Sequence, residues 1–357
     1  MQIKEAIARV IDGQDLSEKE AGSIMRMILR GKATPSQIAS LITALRMKGE
    51  KVCEITGFAK AMRQESVKVR LRGKKVVDTC GTGGDRSNTF NISTAAAFVT
   101  AGADIIVAKH GNRSVSSSCG SADVLQALGI NIMLGKEAVE ECLRKVGIAF
   151  LFAPIFHGAM KHALPPRKEI GIRTVFNILG PLTNPAGAKA QILGVYDRNL
   201  LEKLANVLLN LGSKRALVVH SSDGLDEISL KQTTIAEVKN GKVSTYTLTP
   251  GDYGFRKSSL QQLSGGTIKQ NARVLQTILK GEKGPRRDVV ILNAAAAIIA
   301  GGYAKNFKEG VRIAANSIDS GKALEKLELL RKFTCSAKKP ARKSSVAQIC
   351  PTKRTKV

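Results

Sequence analysis

Two glycine-rich segments of the chain carry residue types that could bind phosphate groups. The first, Gly81–Asp85 (GTGGD), is followed by a series of hydroxyl and amide side chains from Ser87 to Thr94. Glycines let backbone N–H groups approach a phosphate closely, and a following helix N-terminus adds partial positive charge. The spacing is neither GxGxxG nor the GK[ST] of a nucleotide P-loop, so a structural turn stays open as the alternative.

The second segment, Lys109–Ser118, begins with cationic and polar side chains and then contains four serines. Gly120 and Ser121 follow and are expected to open a helix. Two such segments favour a ligand with more than one phosphate group over a solvated charged turn.

An acidic segment, Asp223–Glu227 (DGLDE), follows a predicted strand. Mg²⁺ prefers oxygen ligands and often bridges a few carboxylates to the phosphates of a substrate. A solvated turn is an equally good interpretation of this segment alone. His157 and His162 lie five residues apart without a Cys or carboxylate to complete a zinc set, so they indicate recognition of an anion or ring, or packing.

The first seventy residues are predicted to be helical. Ser17 with Glu20, and Thr34 with Gln37, have the capping-box pattern that begins a helix. Gly31 and Gly49 are placed to end these two helices, and a third is expected over Val52–Gln64.

After about residue 74 the pattern changes to strands that alternate with helices, which predicts a mostly parallel sheet covered by helices. Predicted helices cover Ser93–Ala103, Ser121–Leu128 and Leu200–Leu211, and Arg173–Pro185 is expected to be a helix ended by a Gly-Pro turn. The predicted strands are Lys75–Asp78, Ile105–Ala108, Ile192–Val195, Ala216–Val219 and Val289–Leu292.

The charge of the chain calls for an anionic partner. There are 56 Lys and Arg against 29 Asp and Glu, a formal net charge of +27. Residues 331–357 hold nine of the basic residues and no acidic one; subtracting these nine from +27 leaves +18 on residues 1–330. Nucleic acid, an acidic membrane face and a phosphorylated small molecule all fit such a charge.

Other features of the composition narrow these classes. Aromatic residues make up 4% of the chain, too few for extensive stacking on single-stranded nucleic acid. Six isolated cysteines favour reduced thiols in the cytoplasm over a disulfide framework. No signal peptide or membrane span is expected, because even the apolar run Val289–Ala300 is too short and contains Asn293.

Together, six blocks in order resemble the anthranilate phosphoribosyltransferase family, and the N-terminal helical region resembles it too, so that the likeness covers roughly residues 1–333. The blocks are Gly81–Asp85, Asn88–Thr94, KHGNRSVSS at Lys109–Ser117, GSADVL at Gly120–Leu125, RTVFNILGPLTNP at Arg173–Pro185 and GLDEIS at Gly224–Ser229.

The resemblance implies an α/β protein of the nucleoside phosphorylase/phosphoribosyltransferase fold, with a small N-terminal helical domain beside a larger α/β domain. We expect the helical domain over residues 1–70, joined by part of 160–190, the α/β domain over 74–333, and a mobile basic tail over 334–357. The implied reaction joins anthranilate to phosphoribosyl pyrophosphate (PRPP) with Mg²⁺, releases pyrophosphate and forms N-(5-phosphoribosyl)anthranilate in tryptophan biosynthesis. A cytoplasmic homodimer without membrane association is the implied assembly.

The family pattern also implies roles for residues of this chain. Lys109, Asp226 and Glu227 would be catalytic, and Ser93, Asp226 and Glu227 would contact Mg²⁺. Anthranilate would be bound by Gly81, His110, Asn112, His157, Arg167 and Pro181. The residues implied to surround PRPP are Gly81, Gly84, Asp85, Thr89, Asn91, Ile92, Ser93, Thr94, Lys109, His110, Gly111, Asn112, Arg113, Ser114, Val115, Ser116, Ser117 and Ser121.

These roles agree with the chemistry of the implied reaction. Anthranilate already carries an amine nucleophile, so the protein must stabilise the leaving pyrophosphate and align the reactants. The sequence departs from the family at Ser118 and Cys119, where relatives often carry Lys then Ser, and at Gly158, where Pro is common.

Two alternatives stay open at the level of sequence. A pyrimidine nucleoside phosphorylase of the related two-domain fold would bind one phosphate and a nucleoside. A nucleic-acid-binding protein built on the transferase fold would use the excess charge, and the tail is a candidate for weak nucleic-acid binding even in an enzyme.

Overall fold

The computed structural model describes residues 1–71, 73–114 and 119–337, in which N-terminal helices precede a helix-covered sheet. The strands are β1 (Val77–Gly81), β2 (Val107–Gly111), β3 (Ile148–Phe152), β4 (Ala190–Gly194), β5 (Arg215–Ser221), β6 (Thr233–Lys239) and β7 (Lys242–Leu248). The α-helices are α1 (Ile3–Ile11), α2 (Glu18–Leu29), α3 (Pro35–Lys48), α4 (Val52–Glu65), α5 (Ile92–Gly102), α6 (Ser121–Ala127), α7 (Lys136–Lys145), α8 (Ala153–Phe156), α9 (Leu164–Ile170), α10 (Phe176–Leu179), α11 (Leu200–Asn210), α12 (Ile268–Leu279), α13 (Pro285–Gly301), α14 (Phe307–Asp319) and α15 (Lys322–Ser336). Short 3-10 helices cover Gly158–His162, Gly180–Leu182, Pro250–Tyr253 and Leu260–Leu263.

The two predicted capping boxes of the N-terminal helices are confirmed. The Ser17 backbone N–H donates to Glu20 Oε2 at 2.9 Å, and the Glu20 N–H donates to Ser17 Oγ at 3.3 Å. Thr34 and Gln37 make the same reciprocal pair at 3.0 and 3.2 Å. Each pair satisfies two N–H groups that the first turn of a helix leaves without a partner, so these residues determine where α2 and α3 begin.

The sheet has seven strands in the order β3-β2-β1-β4-β5-β6-β7. The first five strands of this order (β3, β2, β1, β4 and β5) are parallel to one another. Strands β6 and β7 add an antiparallel edge. The predicted fold class, a small helical domain with a larger, mostly parallel α/β domain, is confirmed. Chain order reverses at β1, which pairs with β2 on one side and β4 on the other, and such a switch point is where open α/β sheets bind ligands.

Two hydrophobic cores support this architecture. One fills the space between the sheet and helices such as α5 and α13. The other joins the apolar faces of α1 to α4 to α10, α11 and the opposite face of the sheet. The segment around α10 therefore lies between the N-terminal helices and the carboxyl ends of the strands.

The prediction of a strand at Val289–Leu292 was wrong, because these residues lie inside α13. α13 is buried on nearly all sides, and a helix buried all round shows no amphipathic period that would distinguish it from a buried strand. The apolar run continues to Gly301, longer than a typical strand, and Pro285 stands in the first turn, where proline suits a helix.

The predicted helix at Arg173–Pro185 is much shorter than expected. Only Phe176–Leu179 is α-helical, and Gly180–Leu182 continues as a 3-10 turn. Strands β3, β6 and β7 had no explicit counterpart among the predicted strands. No helix among the described ranges is long and apolar enough to cross a membrane.

Candidate functional site

The candidate site lies at the carboxyl ends of the parallel strands, where the loops after β1, β2, β4 and β5 meet. Gly81 and Gly194, the last residues of β1 and β4, are paired in the sheet register. A Cβ on Gly81 would lie 2.7 Å from Asp226 Oδ2, and a Cβ on Gly194 would overlap the Asp226 carbonyl. Glycine at both strand ends therefore lets the acidic loop after β5 lie directly against β1 and β4.

The loop after β1 has an unusual backbone that brings its N–H groups toward this edge. Gly83 and Gly84 have φ of +63° and +82°, and Arg86 and Asn88 also lie in the left-handed region. The Gly83 N–H donates to Asp226 Oδ2 at 2.9 Å. Gly83 and Asp226 are 143 residues apart in sequence, so this hydrogen bond joins the first glycine segment to the acidic segment.

Three carboxylates meet beside this loop. Oxygen atoms of Asp85, Asp226 and Glu227 lie within 4.8 Å of one another. Burial, followed by the nearby Asp85 charge, raises the pKa of Asp226 to about 7, and burial together with Asp226 raises the pKa of Glu227 well above its usual range. Like charges this close are costly unless they are protonated or share a cation, and a set of carboxylate oxygens suits a hard divalent ion. The donor set fits the Mg²⁺ that the sequence predicted.

Asp85 is a member of this cluster that the sequence assigned only to PRPP. Its carboxylate also accepts the Ser87 hydroxyl at 2.6 Å. The predicted third metal ligand, Ser93, lies in the first turn of α5, and its hydroxyl oxygen accepts a hydrogen bond from Lys109 at 3.2 Å. Its role toward the metal stays a prediction.

Lys109 projects from β2 into the protein and is only 4% exposed. Its ammonium group donates to the Thr79 carbonyl at 2.5 Å as well as to Ser93. Burial lowers the pKa of Lys109, while Asp78 and Glu227 act in the opposite direction. The predicted catalytic residues Lys109, Asp226 and Glu227 are therefore brought into one electrostatic environment.

The loop after β2 is organised by Asp123 at the start of α6. Its carboxylate accepts the N–H groups of Ser114 at 3.2 Å and Gly120 at 3.0 Å, and it forms an ion pair with Arg113 at 2.7 Å. The Asn112 carbonyl accepts the Ser121 hydroxyl at 3.3 Å. Val115, Ser116 and Ser117, which were predicted to surround PRPP, lie outside the described residues.

The other predicted PRPP residues lie at the ends of β1 and β2 and the start of α5. Thr89 is joined by a β-bridge to Ser264, and the Asn91 amide donates to the Cys119 carbonyl at 3.1 Å. Ile92 and Thr94 are buried in the first turn of α5. Gly111 ends β2, where a Cβ would meet the Ser121 hydroxyl.

His110 and His157 lie together, with ring centroids 5.1 Å apart and exposures of 6% and 8%. His110 Nδ1 lies 3.1 Å from the Gly180 carbonyl, which can only accept, so the proton is on Nδ1. Burial lowers the pKa of His110 to about 3 and that of His157 to about 4, which keeps both rings neutral. The Nε2 atoms of both rings are buried and have no partner among the described residues.

The turn at Gly180–Leu182 is held by three side chains that bond to its three consecutive carbonyl groups. His110 bonds to the Gly180 carbonyl, Gln191 Nε2 donates to the Pro181 carbonyl at 2.7 Å, and Arg63 Nε donates to the Leu182 carbonyl at 2.7 Å. The three donors come from β2, β4 and α4. Pro181, predicted to bind anthranilate, therefore sits in a turn fixed from three directions.

Arg167, on α9, is half-buried and lies 4.9 Å over the Phe176 ring. Burial lowers its pKa, and no ion pair to it is found within residues 1–71, 73–114 and 119–337. A buried guanidinium without a carboxylate partner is suited to an anion from outside the chain.

Arg173 is a site residue to which sequence reasoning gave no role. It stacks 4.1 Å over Tyr196 and donates to the Gly84 carbonyl. A side chain at position 84 would collide with its guanidinium. The only signal in the sequence was its place at the start of the RTVFNILGPLTNP block.

Comparison with known families defines the class of this chain. The family model described as "Glycosyl transferase family, a/b domain" matches residues 73–324, and "Glycosyl transferase family, helical bundle domain" matches residues 4–66. The chain belongs to this glycosyl transferase family.

Individual relatives narrow the assignment. Anthranilate phosphoribosyltransferase from Pelotomaculum thermopropionicum is 61% identical over 333 residues, covering 93% of this chain and 96% of the relative. The same enzyme from Acetivibrio thermocellus is 55% identical, covering 94% and 97%. The chain therefore belongs to the anthranilate phosphoribosyltransferase family.

Solved structures agree with the assignment. The crystal structure of anthranilate phosphoribosyltransferase from Thermus thermophilus superposes with a TM-score of 0.89 at 43% identity, covering 93% of this chain and 99% of that chain. The Saccharomyces cerevisiae enzyme in complex with PRPP and Mg gives a TM-score of 0.86 at 30% identity, covering 94% and 98%.

Proposed function

We propose that this chain transfers the 5-phosphoribosyl group of PRPP to the amine of anthranilate, a step of tryptophan biosynthesis that releases pyrophosphate. The observation that carries the proposal is the cluster of Asp85, Asp226 and Glu227 against the glycine loop, in a family whose Saccharomyces cerevisiae member was solved with PRPP and Mg. We call this cluster, with Lys109 and the glycine loop, the phosphate side of the site. His110, His157, Arg167 and the Gly180–Leu182 turn form the anthranilate side.

On the phosphate side, the reaction requires stabilisation of charge as pyrophosphate leaves the anomeric carbon and an oxocarbenium-like state forms. Asp226, Glu227 and Asp85 would hold Mg²⁺, with Ser93 as a further proposed ligand. When bound, the ion neutralises negative charge on the leaving group. Lys109, fixed by the Thr79 carbonyl and Ser93, keeps a positive charge beside the carboxylates.

The remaining contacts to PRPP are proposed for the two strand-end loops. Gly84, Thr89 and Thr94 lie on the first loop and the start of α5, and their N–H and hydroxyl groups suit phosphate oxygens. On the second loop, Arg113 would exchange its ion pair with Asp123 for a phosphate. The other residues proposed to surround PRPP are Gly81, Asn91, Ile92, His110, Gly111, Asn112, Ser114, Val115, Ser116, Ser117 and Ser121.

On the anthranilate side, Arg167 would grip the carboxylate through two parallel hydrogen bonds. Gly81, Asn112 and Pro181 are proposed to complete the pocket. The Nε2 atoms of His110 and His157 lack a partner among the described residues. His110 carries its proton on Nδ1 and is neutral, so its Nε2 can only accept a hydrogen bond. We propose the same tautomer for the neutral ring of His157. Accepting N–H bonds from the substrate amine would orient it and leave its lone pair free to attack.

The assembly and organisation form part of the proposal. We place the helical domain at residues 1–70, joined by part of 160–190, since its core includes Phe176, Ile178 and Leu182. The α/β domain is proposed to cover 74–333 and the basic tail 334–357. The tail's first three residues belong to the last turn of α15, where Thr334 is buried, and residues 338–357 lie outside the described residues. A cytoplasmic homodimer is proposed, with weak nucleic-acid binding through the tail as a secondary property. Comparing salt-dependent DNA binding before and after deletion of residues 338–357, which leaves α15 whole, tests that last point.

The test of the main reaction is loss of anthranilate fluorescence after addition of PRPP and MgCl₂, with formation of stoichiometric pyrophosphate. We expect both with the complete mixture and neither when PRPP is omitted. A folded sample that leaves anthranilate unchanged would contradict the proposal. Phosphorolysis of thymidine or uridine by the same sample would instead favour the pyrimidine nucleoside phosphorylase, which the comparisons do not support.

A further inference from the structure

The side-chain amide of Asn293 forms hydrogen bonds with the backbone of Ile228, the residue that follows Asp226 and Glu227 in the acidic loop. Asn293 Oδ1 accepts the Ile228 N–H at 3.0 Å, and its Nδ2 donates to the Ile228 carbonyl at 2.7 Å. The same Nδ2 donates to the Val289 carbonyl at 2.8 Å within α13. Asn293 is 2% exposed and Ile228 is fully buried, so these bonds are shielded from water.

Few side chains could replace Asn293 in this arrangement. The backbone N–H and carbonyl of Ile228 both face the Asn293 side chain. Burying either group without a hydrogen-bond partner would cost free energy. A carboxamide offers a donor and an acceptor together, whereas a carboxylate only accepts and an aliphatic side chain does neither. The Asn293 amide thus bonds the N–H and the carbonyl of Ile228 as the backbone of a neighbouring strand would.

The hydrogen bonds between Asn293 and Ile228, which we call the clasp, are one of several contacts that fix the backbone on either side of the two carboxylates. On the N-terminal side, the Leu225 carbonyl accepts the Ser221 N–H at 3.0 Å. The Asp226 carboxylate accepts the Gly83 N–H, and Asn293 holds Ile228 on the C-terminal side. Since α13 packs against β1, β4 and α5, Asn293 connects the acidic loop to the buried centre of the protein.

We propose that Asn293 is a positioning residue for Asp226 and Glu227: it acts through the Ile228 backbone to hold the two carboxylates in the arrangement that binds Mg²⁺. This inference rests on the proposed function for the identity of the ion. Asn293 contacts neither substrate in this role. It sets the affinity for the metal through the rigidity of the loop.

The experiment compares Asn293→Leu, Asn293→Asp and a control, Ser317→Ala. Ser317 is also 2% exposed, and its hydroxyl donates to the Val99 carbonyl of α5 at 2.7 Å. For each protein, the MgCl₂ concentration that gives half of the full thermal stabilisation is measured with PRPP present. The KM for anthranilate and the hydrogen-exchange rate of the Ile228 amide are measured beside it.

For both Asn293 variants we expect the half-saturating MgCl₂ concentration to rise about tenfold or more, as for loss of other groups that orient metal ligands. The KM for anthranilate should change less than about twofold, because the anthranilate side is untouched. Exchange of the Ile228 amide should accelerate only in these variants. An unchanged MgCl₂ response in a folded Asn293→Asp protein would overturn the proposal.

Two further outcomes keep the inference separate from the proposed function. In the wild-type protein without metal, the Ile228 amide must already be strongly protected; rapid exchange there would show that the clasp does not persist, whether or not the variants fold. If the wild-type protein failed to form phosphoribosylanthranilate while Ile228 protection depended on Asn293, the reaction would be wrong and the clasp would stand.

Discussion

The phosphate side and the anthranilate side of the site are prepared for their ligands by different means. On the phosphate side, Asp85, Asp226 and Glu227 lie close enough to repel one another when charged, so the cluster must take up protons or a cation. On the anthranilate side, His110 and His157 are neutral, and the Gly180–Leu182 turn is already held by three donors. One side depends on electrostatic compensation, and the other is organised before any ligand binds.

This difference implies that charged side chains have different roles on the phosphate side and the anthranilate side. On the phosphate side, Lys109 faces the carboxylates and is itself destabilised in its charged form by burial. On the anthranilate side, the Arg167 guanidinium lies over an aromatic ring and has no ion-pair partner among the described residues, so we propose that it binds the substrate carboxylate. Substitutions that remove charge should therefore act on metal and PRPP in one case and on anthranilate alone in the other.

The largest effect is expected from Asp226→Asn. The amide can still accept the Gly83 N–H, so the loop keeps its shape while the charge is lost. We expect kcat/KM for PRPP to fall about 100-fold or more, the size seen when a preorganised charge-stabilising group is removed. Steady-state kinetics at several MgCl₂ concentrations measures it. Asp223→Asn, in the same loop but outside the cluster, is the matched control; equal losses in both would argue against a cation site.

The second effect is expected from Arg167→Met, which keeps much of the apolar contact with Phe176. Loss of a charge-assisted bond of about 2 kcal/mol should raise the KM for anthranilate about 30-fold. The KM for PRPP should stay within about twofold. Lys168→Met, on the exposed part of the same helix, controls for the loss of a positive charge. Equal increases in both KM values would remove Arg167 from the anthranilate side.

A smaller effect is expected from Arg63→Met, which leaves the Leu182 and Leu211 carbonyls without their donor. Loss of these two part-buried hydrogen bonds should lower the free energy of unfolding by about 2 kcal/mol. Since the turn keeps its other two bonds, the KM for anthranilate should rise only about threefold. Denaturant titration and kinetics measure the two quantities. A rise in the KM for PRPP instead would show that the turn serves the phosphate side.

The last effect concerns pH and is the smallest at neutral pH, because there the two rings are mostly neutral in the unfolded chain as well. His110 and His157 have pKa values of about 3 and 4 in the folded protein, below the ordinary value near 6.5. As the pH falls below 6.5, the unfolded chain binds protons that the folded rings do not, so stability decreases down to about pH 4 for His157 and about pH 3 for His110. Each ring contributes at most about 1.4 kcal/mol per pH unit in this window.

His157→Gln should make this acid loss of stability shallower, and urea titrations between pH 4 and 7 measure the change. A slope unaffected by His157→Gln would mean that the ring binds a proton as readily in the folded protein as in the unfolded chain, and the argument that the site keeps it neutral as an acceptor for the amine would fail.

Much of the fold could be predicted from local patterns. Ser17, Glu20, Thr34 and Gln37 act over three residues, so the starts of α2 and α3 were legible in the sequence. The glycine loops after β1 and β2 were also legible, since they interrupt alternating strands and helices. The interior of α13 was not, because complete burial removes the periodicity that separates a helix from a strand.

Other parts of the site depend on contacts between distant segments. Asp85 joins Asp226 only because β1 and β4 pair at Gly81 and Gly194. Arg63 donates to a carbonyl 119 residues away. Side chains that bind backbone atoms leave little pattern in a single sequence, since any residue can supply the carbonyl. The family resemblance proposed ligand-facing residues but gave no role to groups that hold the loops, such as Arg63 and Arg173.

The bond between Gly83 and Asp226 has a consequence for the order in which the chain folds. The acidic loop can reach the glycine loop only after β4 and β5 have joined β1, because the partners are 143 residues apart. Contacts of such long sequence separation close late and slowly. During refolding, helical signal should therefore return before Mg²⁺-dependent activity, and the metal should bind only chains whose central sheet is already assembled.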